Sequence, residues 1–255
     1  MRRLPLLMSS VLVLPFFNLT PHGNLDWIGE SLAETVREAL AVEGVVTFTR
    51  DDRQEVFRRL AVRPYALLTR ASVVKLGEAA GATHVVWGQY EVSPEAGGVS
   101  PKSTLRIRSR VLDLQKLRQG SELTELGALE DLAPLETHLA WQAVRALASG
   151  PAPSEADFRR TRPALRVDAI ESYIRGLLAD SPDQKLKLFA QAARLDTRYS
   201  QPCFQLGRLY AGRLQHRESL PWLERVSRAD SHYSEAQFLL GLGRYFTGDF
   251  AGAES

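Results

Sequence analysis

The chain has 255 residues, 44% of them apolar and 24% charged, with a net charge of +2. That length and composition exclude a disordered chain and leave room for two domains, each with its own core. The charge is spread evenly, 17 basic against 17 acidic residues over 1–150 and 15 against 13 over 151–255, so no basic field points to nucleic acid.

Met1-Arg2-Arg3 and the apolar residues after it have the basic start of a secretory leader, but no small-x-small cleavage site follows. Residues 1–8 read as a leader remnant or an extended start. Pro5, Pro15 and the shortness of the apolar run argue against a membrane span. Val11 to Phe16 reads as a buried strand, ended by the turn formers Asn18, Pro21, Gly23 and Asn24. From Asp26, the residues Trp27, Ile28, Leu32, Val36, Ala39 and Leu40 keep helical spacing. Glu30, Glu34, Arg37 and Glu38 fill the opposite, polar face, and Gly44 stops the helix. Val45 to Thr49 is a second strand, after which Asp51 or Asp52 caps a helix to about Leu60. Pro64 breaks that helix, and a shorter one runs from Ser72 to Ala80 and ends at Gly81.

Val85 to Tyr90 is apolar on both faces in its first half, as a central strand would be. Beyond a loop from Ser93 to Ser103, Leu105, Ile107 and Val111 alternate with Arg106, Arg108 and Arg110. This alternation predicts a half-buried strand with a basic outer face. A short strand near Leu123 to Leu126 and a helix from Pro134 to Leu147 complete the first domain. Gly150-Pro151-Ala152-Pro153-Ser154 marks the boundary, with residues 149–166 as linker, and helix follows from Ala169.

The C-terminal part repeats itself. Arg194, Asp196, Tyr199, Ser200, Phe204 and Leu206-Gly207 recur 34 residues later as Arg228, Asp230, Tyr233, Ser234, Phe238 and Leu240-Gly241. Self-similarity at this period predicts stacked helical hairpins, an architecture that binds proteins more often than it catalyses. The five histidines, His22, His84, His138, His216 and His232, fall in separate elements without metal-ligand spacing. His84 opens a strand and reads as a hydrogen-bonded residue at the edge of the core. Cys203 is the single cysteine and sits among helical core positions, which predicts a buried thiol and excludes an intramolecular disulfide. No nucleophile elbow or phosphate loop is present. These readings predict a protein that is not an enzyme and needs no cofactor.

Residues 167–255 resemble tetratricopeptide repeats. Leu206, Gly207 and Tyr210 match the first helix of the motif, and Ser219, Leu223 and Val226 its second. The preceding repeat shows Gly176, Leu186, Phe189 and Ala192, and the next shows Leu240, Gly241, Gly248, Asp249 and Ala253. Ser219 stands where the family usually has alanine. The resemblance implies a concave groove lined by Tyr173 and Leu177, by Phe204 and Arg208, and by Phe238, Leu242, Tyr245 and Phe246. Aromatic rings beside an arginine suit an extended or helical peptide, the alternative being that some rings pack against neighbouring repeats. About two and a half repeats are present, and Ser255 falls within the second helix of the last. The expectation is a truncated array, or an apolar end that a partner or self-association covers.

Residues 9–148 resemble the amino-terminal domain of TolB and of FlgO- and CsgG-like bacterial envelope proteins. The match rests on Val13-Leu14-Pro15-Phe16-Phe17-Asn18, on Leu25-Asp26-Trp27-Ile28-Gly29-Glu30-Ser31-Leu32, and on Gly81-Ala82-Thr83-His84-Val85-Val86-Trp87-Gly88. It implies an α/β domain of mixed sheet and flanking helices that assembles complexes without chemistry, in the periplasm or cell envelope; a cytoplasmic location is the alternative.

The expected architecture is therefore an α/β domain followed by an all-α solenoid of tetratricopeptide hairpins. The expected function is a scaffold or adaptor that captures another protein in the repeat groove. Arg106, Arg108 and Arg110 offer a second docking surface, against the plainer reading of a solvated strand face. The alternatives are a ligand-sensing or regulatory subunit, or a structural component of envelope assembly.

Overall fold

A computed structural model describes residues 9–21, 23–63, 65–95, 98–148, 150–162 and 164–253. The expected leader at 1–8, His22, the helix-breaking Pro64 and the terminal Ser255 lie outside the described residues. The chain divides into two compact units, residues 1–162 and 163–255.

The first unit is a mixed sheet with helices on both faces. Its strands are β1 (Ser10–Val13), β2 (Phe17–Asn18), β3 (Val46–Thr47), β4 (His84–Ser93), β5 (Thr104–Asp113), β6 (Arg118–Gln119) and β7 (Leu123–Ala128). The order is β3-β1-β4-β5-β6, with β7 beside β5 and β2 beside β4. β1 runs parallel to both β3 and β4, with Leu12 opposite Val85, while β5 is antiparallel to β4 along ten residues. The helices are α1 (Trp27–Val42), α2 (Arg50–Arg59), α3 (Arg70–Ala80), α4 (Leu132–Leu147) and α5 (Glu155–Arg160).

Alternation along the strands sends two sets of side chains to opposite faces. Leu12, Leu14, Val85, Trp87 and Leu112 meet Val56 and Phe57 of α2 and Val73 and Leu76 of α3. The opposite face packs under α1 and α4, which contact each other. There Tyr90 is buried, and its hydroxyl donates to the Leu25 carbonyl at 2.7 Å. Gly29 explains one of the motifs: a Cβ there would lie 2.1 Å from the Phe16 carbonyl oxygen. The chain leaving β1 therefore runs against the first turn of α1, with the Phe16 amide donating to the Gly29 carbonyl at 3.0 Å.

Several sequence expectations are corrected. The second strand is only Val46–Thr47, because Thr49 caps α2: its hydroxyl accepts from the Asp52 amide, and the Asp52 carboxylate accepts from the Thr49 amide. This reciprocal capping box, rather than Asp51 or Asp52 as the cap, sets the helix start. The short strand β6 had no expectation, and the segment read as linker carries α5, capped by Ser154. Glu30, Glu34 and Arg37, expected on the polar face of α1, are buried. Arg53 of α2 reaches past the end of β1, donating to the Val13 carbonyl at 3.1 Å and to Glu30. Arg50 also donates to Glu30, at 2.8 Å, and Arg37 to Glu34 at 2.9 Å. Burial alone would raise the Glu34 carboxyl, but Arg37 and Arg53 hold it below its usual range.

The second unit is helical: α6 (Val167–Leu178), α7 (Pro182–Leu195), α8 (Ser200–Gly212), α9 (His216–Leu223), α10 (Tyr233–Thr247) and α11 (Phe250–Ala253). Consecutive helices pack in pairs and each pair contacts the next. The small residues sit where helices cross. A Cβ on Gly176 would come within 2.5 Å of the Phe189 ring, and one on Gly207 within 2.4 Å of the Leu223 side chain. Ser219 is fully buried, with its hydroxyl donating to the His216 carbonyl at 2.8 Å. α9 stops at Leu223, so Val226, read as part of that helix, lies beyond it yet is still buried. Among the described residues, no helix is long and apolar enough to cross a membrane.

Candidate functional site

The eight groove positions that the tetratricopeptide resemblance implies separate into buried and exposed residues. Tyr173, Phe204 and Phe238 occupy the same place on α6, α8 and α10, but their surroundings differ. Tyr173 is buried, its ring 5.7 Å from that of Phe189 and edge-on to that of Tyr199 at 5.1 Å. Phe204 is fully buried, stacked on the His232 ring at 4.4 Å. Tyr199 and His232 are the residues that precede α8 and α10, so each covering ring comes from the start of the next hairpin. Tyr173 and Phe204 are therefore internal packing, and the expectation that they line a groove is corrected. Phe238 is 69% exposed.

The presented residues concentrate on α10. Its buried side is Ala236, Leu240 and Gly243. At 100° per residue, Phe238, Leu242, Tyr245 and Phe246 cluster on the other side, and all four are exposed. Tyr245 is edge-on to Phe246 at 5.5 Å and to Phe250 of α11 at 5.6 Å, while the His216 ring stacks on Phe246 at 4.7 Å. The result is a ring cluster of His216, Tyr245, Phe246 and Phe250 at the C-terminal end of α10, with Phe238 two turns earlier on the same side. Leu177 is half-buried. Arg208 is exposed, with its guanidinium 6.0 Å from the Phe204 ring centroid. An exposed cluster of this kind offers apolar contact and edge-to-face ring packing, with the His216 imidazole and the Tyr245 hydroxyl as its polar groups and no nucleophilic thiol among its members. Cys203 does not supply one: it is buried, and burial pushes its thiol up.

Behind this face the turn residues are fixed by charge. Hydrogen bonds from Arg198 hold the Asp196 carboxyl below its usual range, with Arg198 donating at 2.9 Å and the Arg166 amide at 3.2 Å. At the equivalent turn, burial works to raise Asp230, but hydrogen bonds from His232 hold it down. The recurring aspartates thus anchor the connections on which Tyr199 and His232 are carried.

In the first unit, Arg106, Arg108 and Arg110 lie on one face of β5. Arg106 is exposed and the other two are half-buried. Arg110 pairs with Glu122. Among the described residues, the side chains of Arg106 and Arg108 have neither ion pair nor hydrogen-bond partner. His84 is hydrogen-bonded at the strand edge, its Nδ1 3.1 Å from the Ser9 hydroxyl and 3.0 Å from that of Thr83. Sequence reasoning missed the buried Glu136, which faces Thr35 of α1 at 3.4 Å. Burial pushes its carboxyl up to about 8, against the pull of the Ser31 and Thr35 hydroxyls. The only signal was a lone glutamate among apolar residues of a core helix.

The sequence matches no protein-family model and no curated protein. Among solved structures, it is similar to the C-terminal domain of LpoB from Salmonella enterica, at 18% identity and a TM-score of 0.36, over 48% of this chain and 83% of that one. It is similar to lipoprotein GNA1162 from Neisseria meningitidis at 18% identity and a TM-score of 0.37, over 47% and 80% of the two chains. TolB from Acinetobacter baumannii overlaps at 14% identity and a TM-score of 0.27, over 55% of this chain and 29% of that one.

Proposed function

We propose that the helical unit is a stack of tetratricopeptide-type hairpins that captures a segment of another protein, and that the chain acts as a non-catalytic interaction factor. The observation that carries this reading is the 34-residue recurrence with small residues where its helices cross; among the described residues, Phe238, Leu242, Tyr245 and Phe246 of α10 stand exposed opposite the buried Ala236, Leu240 and Gly243. Large exposed rings lose water on contact with a partner, and such aromatic anchors carry a large share of binding energy. The hairpin reading is supported by the 34-residue recurrence and by the glycines at the helix crossings. The contact set it implies is the four α10 residues with Leu177 and Arg208, without Tyr173 and Phe204.

A structural role in envelope assembly is a second reading, and the exposed cluster would serve it equally well as a self-association surface. It is favoured by the resemblance of the first unit to the TolB amino-terminal domain, whose motif residues here form the end of β1 with β2, the start of α1 and the first half of β4.

The test is a crosslinked pull-down from separated envelope and soluble fractions, comparing the wild type with a Phe238→Ser/Tyr245→Ser/Phe246→Ser variant. The variant is expected to keep its melting temperature and lose its partner, and the fraction that yields the partner identifies the compartment. Partners retained at wild-type level would sink the α10 surface as the functional site. Loss of a self-crosslink alone would favour assembly over capture.

A further inference from the structure

The helices of the first unit cover only half of one sheet face. α2 and α3 pack over Val85, Trp87 and Leu112. Further along the same face, Glu91 of β4, Arg106 of β5 and Leu126 of β7 are exposed, and Leu126 is 61% exposed. Register aligns Arg106 between Glu91 and Leu126, and Arg108 between Gln89 and Thr124. Arg110, opposite Trp87, borders a small cleft formed with Pro15, Phe17, Leu67 and Gln89.

We propose that this uncovered half-face binds an extended acidic peptide segment, with carboxylates at alternate residues on Arg106 and Arg108 and an apolar side chain in the cleft beside Phe17 and Leu67. Two features select that occupant. The first is charge. Arg106 and Arg108 have no ion-pair partner among the described residues, and Glu91, although directly opposite Arg106, makes no bridge to it. A guanidinium free of a partner presents its planar fork to an incoming carboxylate, where paired hydrogen bonds add strength and orientation.

The second feature is spacing. Alternate residues of a strand lie ~6.8 Å apart on one face, and an extended peptide repeats its own side chains at the same interval. Two arginines at i and i+2 therefore match carboxylates at i and i+2 without bending either chain. The cleft stands at the Arg110 end of the stripe, which places the apolar anchor at one end of the segment and the acids toward the other. A nucleic acid is disfavoured because Glu91 and Glu122 share this surface and break up the single-sign field that a polyanion requires. This inference does not depend on the α10 reading.

The test is fluorescence anisotropy of the full chain with a labelled peptide that carries one phenylalanine followed by glutamates alternating with threonines. Controls are the glutamine version, a version of the same composition with its glutamates in one block, and a single-stranded DNA of equal charge. The alternating peptide should bind, weaken as salt rises, and lose about tenfold or more in affinity to an Arg106→Gln/Arg108→Gln variant. Leu67→Asp should also weaken it. An Arg106→Glu/Arg108→Glu variant should instead bind the peptide in which lysines replace the glutamates. Because both arginines are unpaired, the glutamine variant should melt with the wild type, and the lysine-peptide exchange reads the site even if one variant folds less well. The Phe238→Ser/Tyr245→Ser/Phe246→Ser variant should bind the acidic peptide unchanged, which separates this surface from the α10 face. Absence of binding, indifference to the arginine substitutions, equal binding of the block peptide, or tighter binding of the DNA would each overturn the proposal.

Discussion

The two units treat their helices in opposite ways. On α1 of the first unit, the charged side is closed over: Glu30, Glu34 and Arg37 are buried beneath guanidinium groups from α2 and from α1 itself. On α10 of the second unit, the apolar side is left open, with four large side chains in water. Either arrangement alone inverts the usual division of a helix into a wet polar face and a dry apolar one. Burial of charge is tolerated because each carboxylate meets an arginine donor at hydrogen-bond distance, whereas the exposed rings have no such compensation among the described residues, and the proposed capture of a partner would supply it. The first feature is architecture and the second is surface, and substitutions should separate them.

The largest effects are expected where a buried group loses its counterpart. Glu30→Ala leaves Arg53 buried with only the Val13 carbonyl and the more distant Glu34 carboxylate, 3.7 Å away. Denaturant unfolding should show a loss of about 3–5 kcal/mol. A Glu30→Met/Arg53→Met double variant should recover most of it, because removing both charges removes the desolvation cost as well; a double variant as unstable as the single one would assign the loss to packing. Phe204→Ala should cost about 3–5 kcal/mol in the second unit, since the ring is fully buried and stacked on His232.

A smaller, pH-dependent effect is expected from Glu136. Its carboxyl titrates near 8 in the folded chain, above the ordinary 4.5 of an unfolded one. Between those values the folded state holds a proton that the unfolded state has released, so stability falls as pH rises. The contribution is fully present below pH 4.5 and gone above about 8, a change on the order of a few kcal/mol. Unfolding curves at pH 5 and pH 8 should therefore diverge for the wild type and converge for Glu136→Gln. Equal divergence in both would remove Glu136 as the source.

How much of this was legible in the sequence follows from which forces are local. The apolar stripe of α1 is periodic, and Trp27, Ile28, Leu32, Val36, Ala39 and Leu40 are all buried as that period requires. The alternation of β5 placed Leu105 and Ile107 inward, with Arg106 and Arg108 on the other side, for the same reason. What periodicity does not encode is the roof over a polar face. Glu30 looked solvated because its partner, Arg53, lies 23 residues away across a turn whose geometry depends on the Thr49 cap. The separation of Tyr173 and Phe204 from Phe238 was hidden for a related reason. Equivalent positions in a repeat are chemically alike, and the rings that cover Tyr173 and Phe204, Tyr199 and His232, come from the hairpin that follows each of them.

The smallest expected effect is that of Phe238→Ala, set beside Phe204→Ala. The two phenylalanines stand 34 residues apart at one repeat position and carry the same side chain. Phe238 is 69% exposed, so truncating it removes little buried surface, and thermal or denaturant unfolding should move by less than about 0.5 kcal/mol. Its effect should appear in partner capture, where an exposed ring contributes only after association. A large stability loss at Phe238 would mean that the α10 face is covered within the folded chain in solution, and the interaction surface would then have to lie elsewhere. A null effect on both stability and capture would leave Tyr245 and Phe246, which pack edge to face with one another, as the anchors and Phe238 as rim.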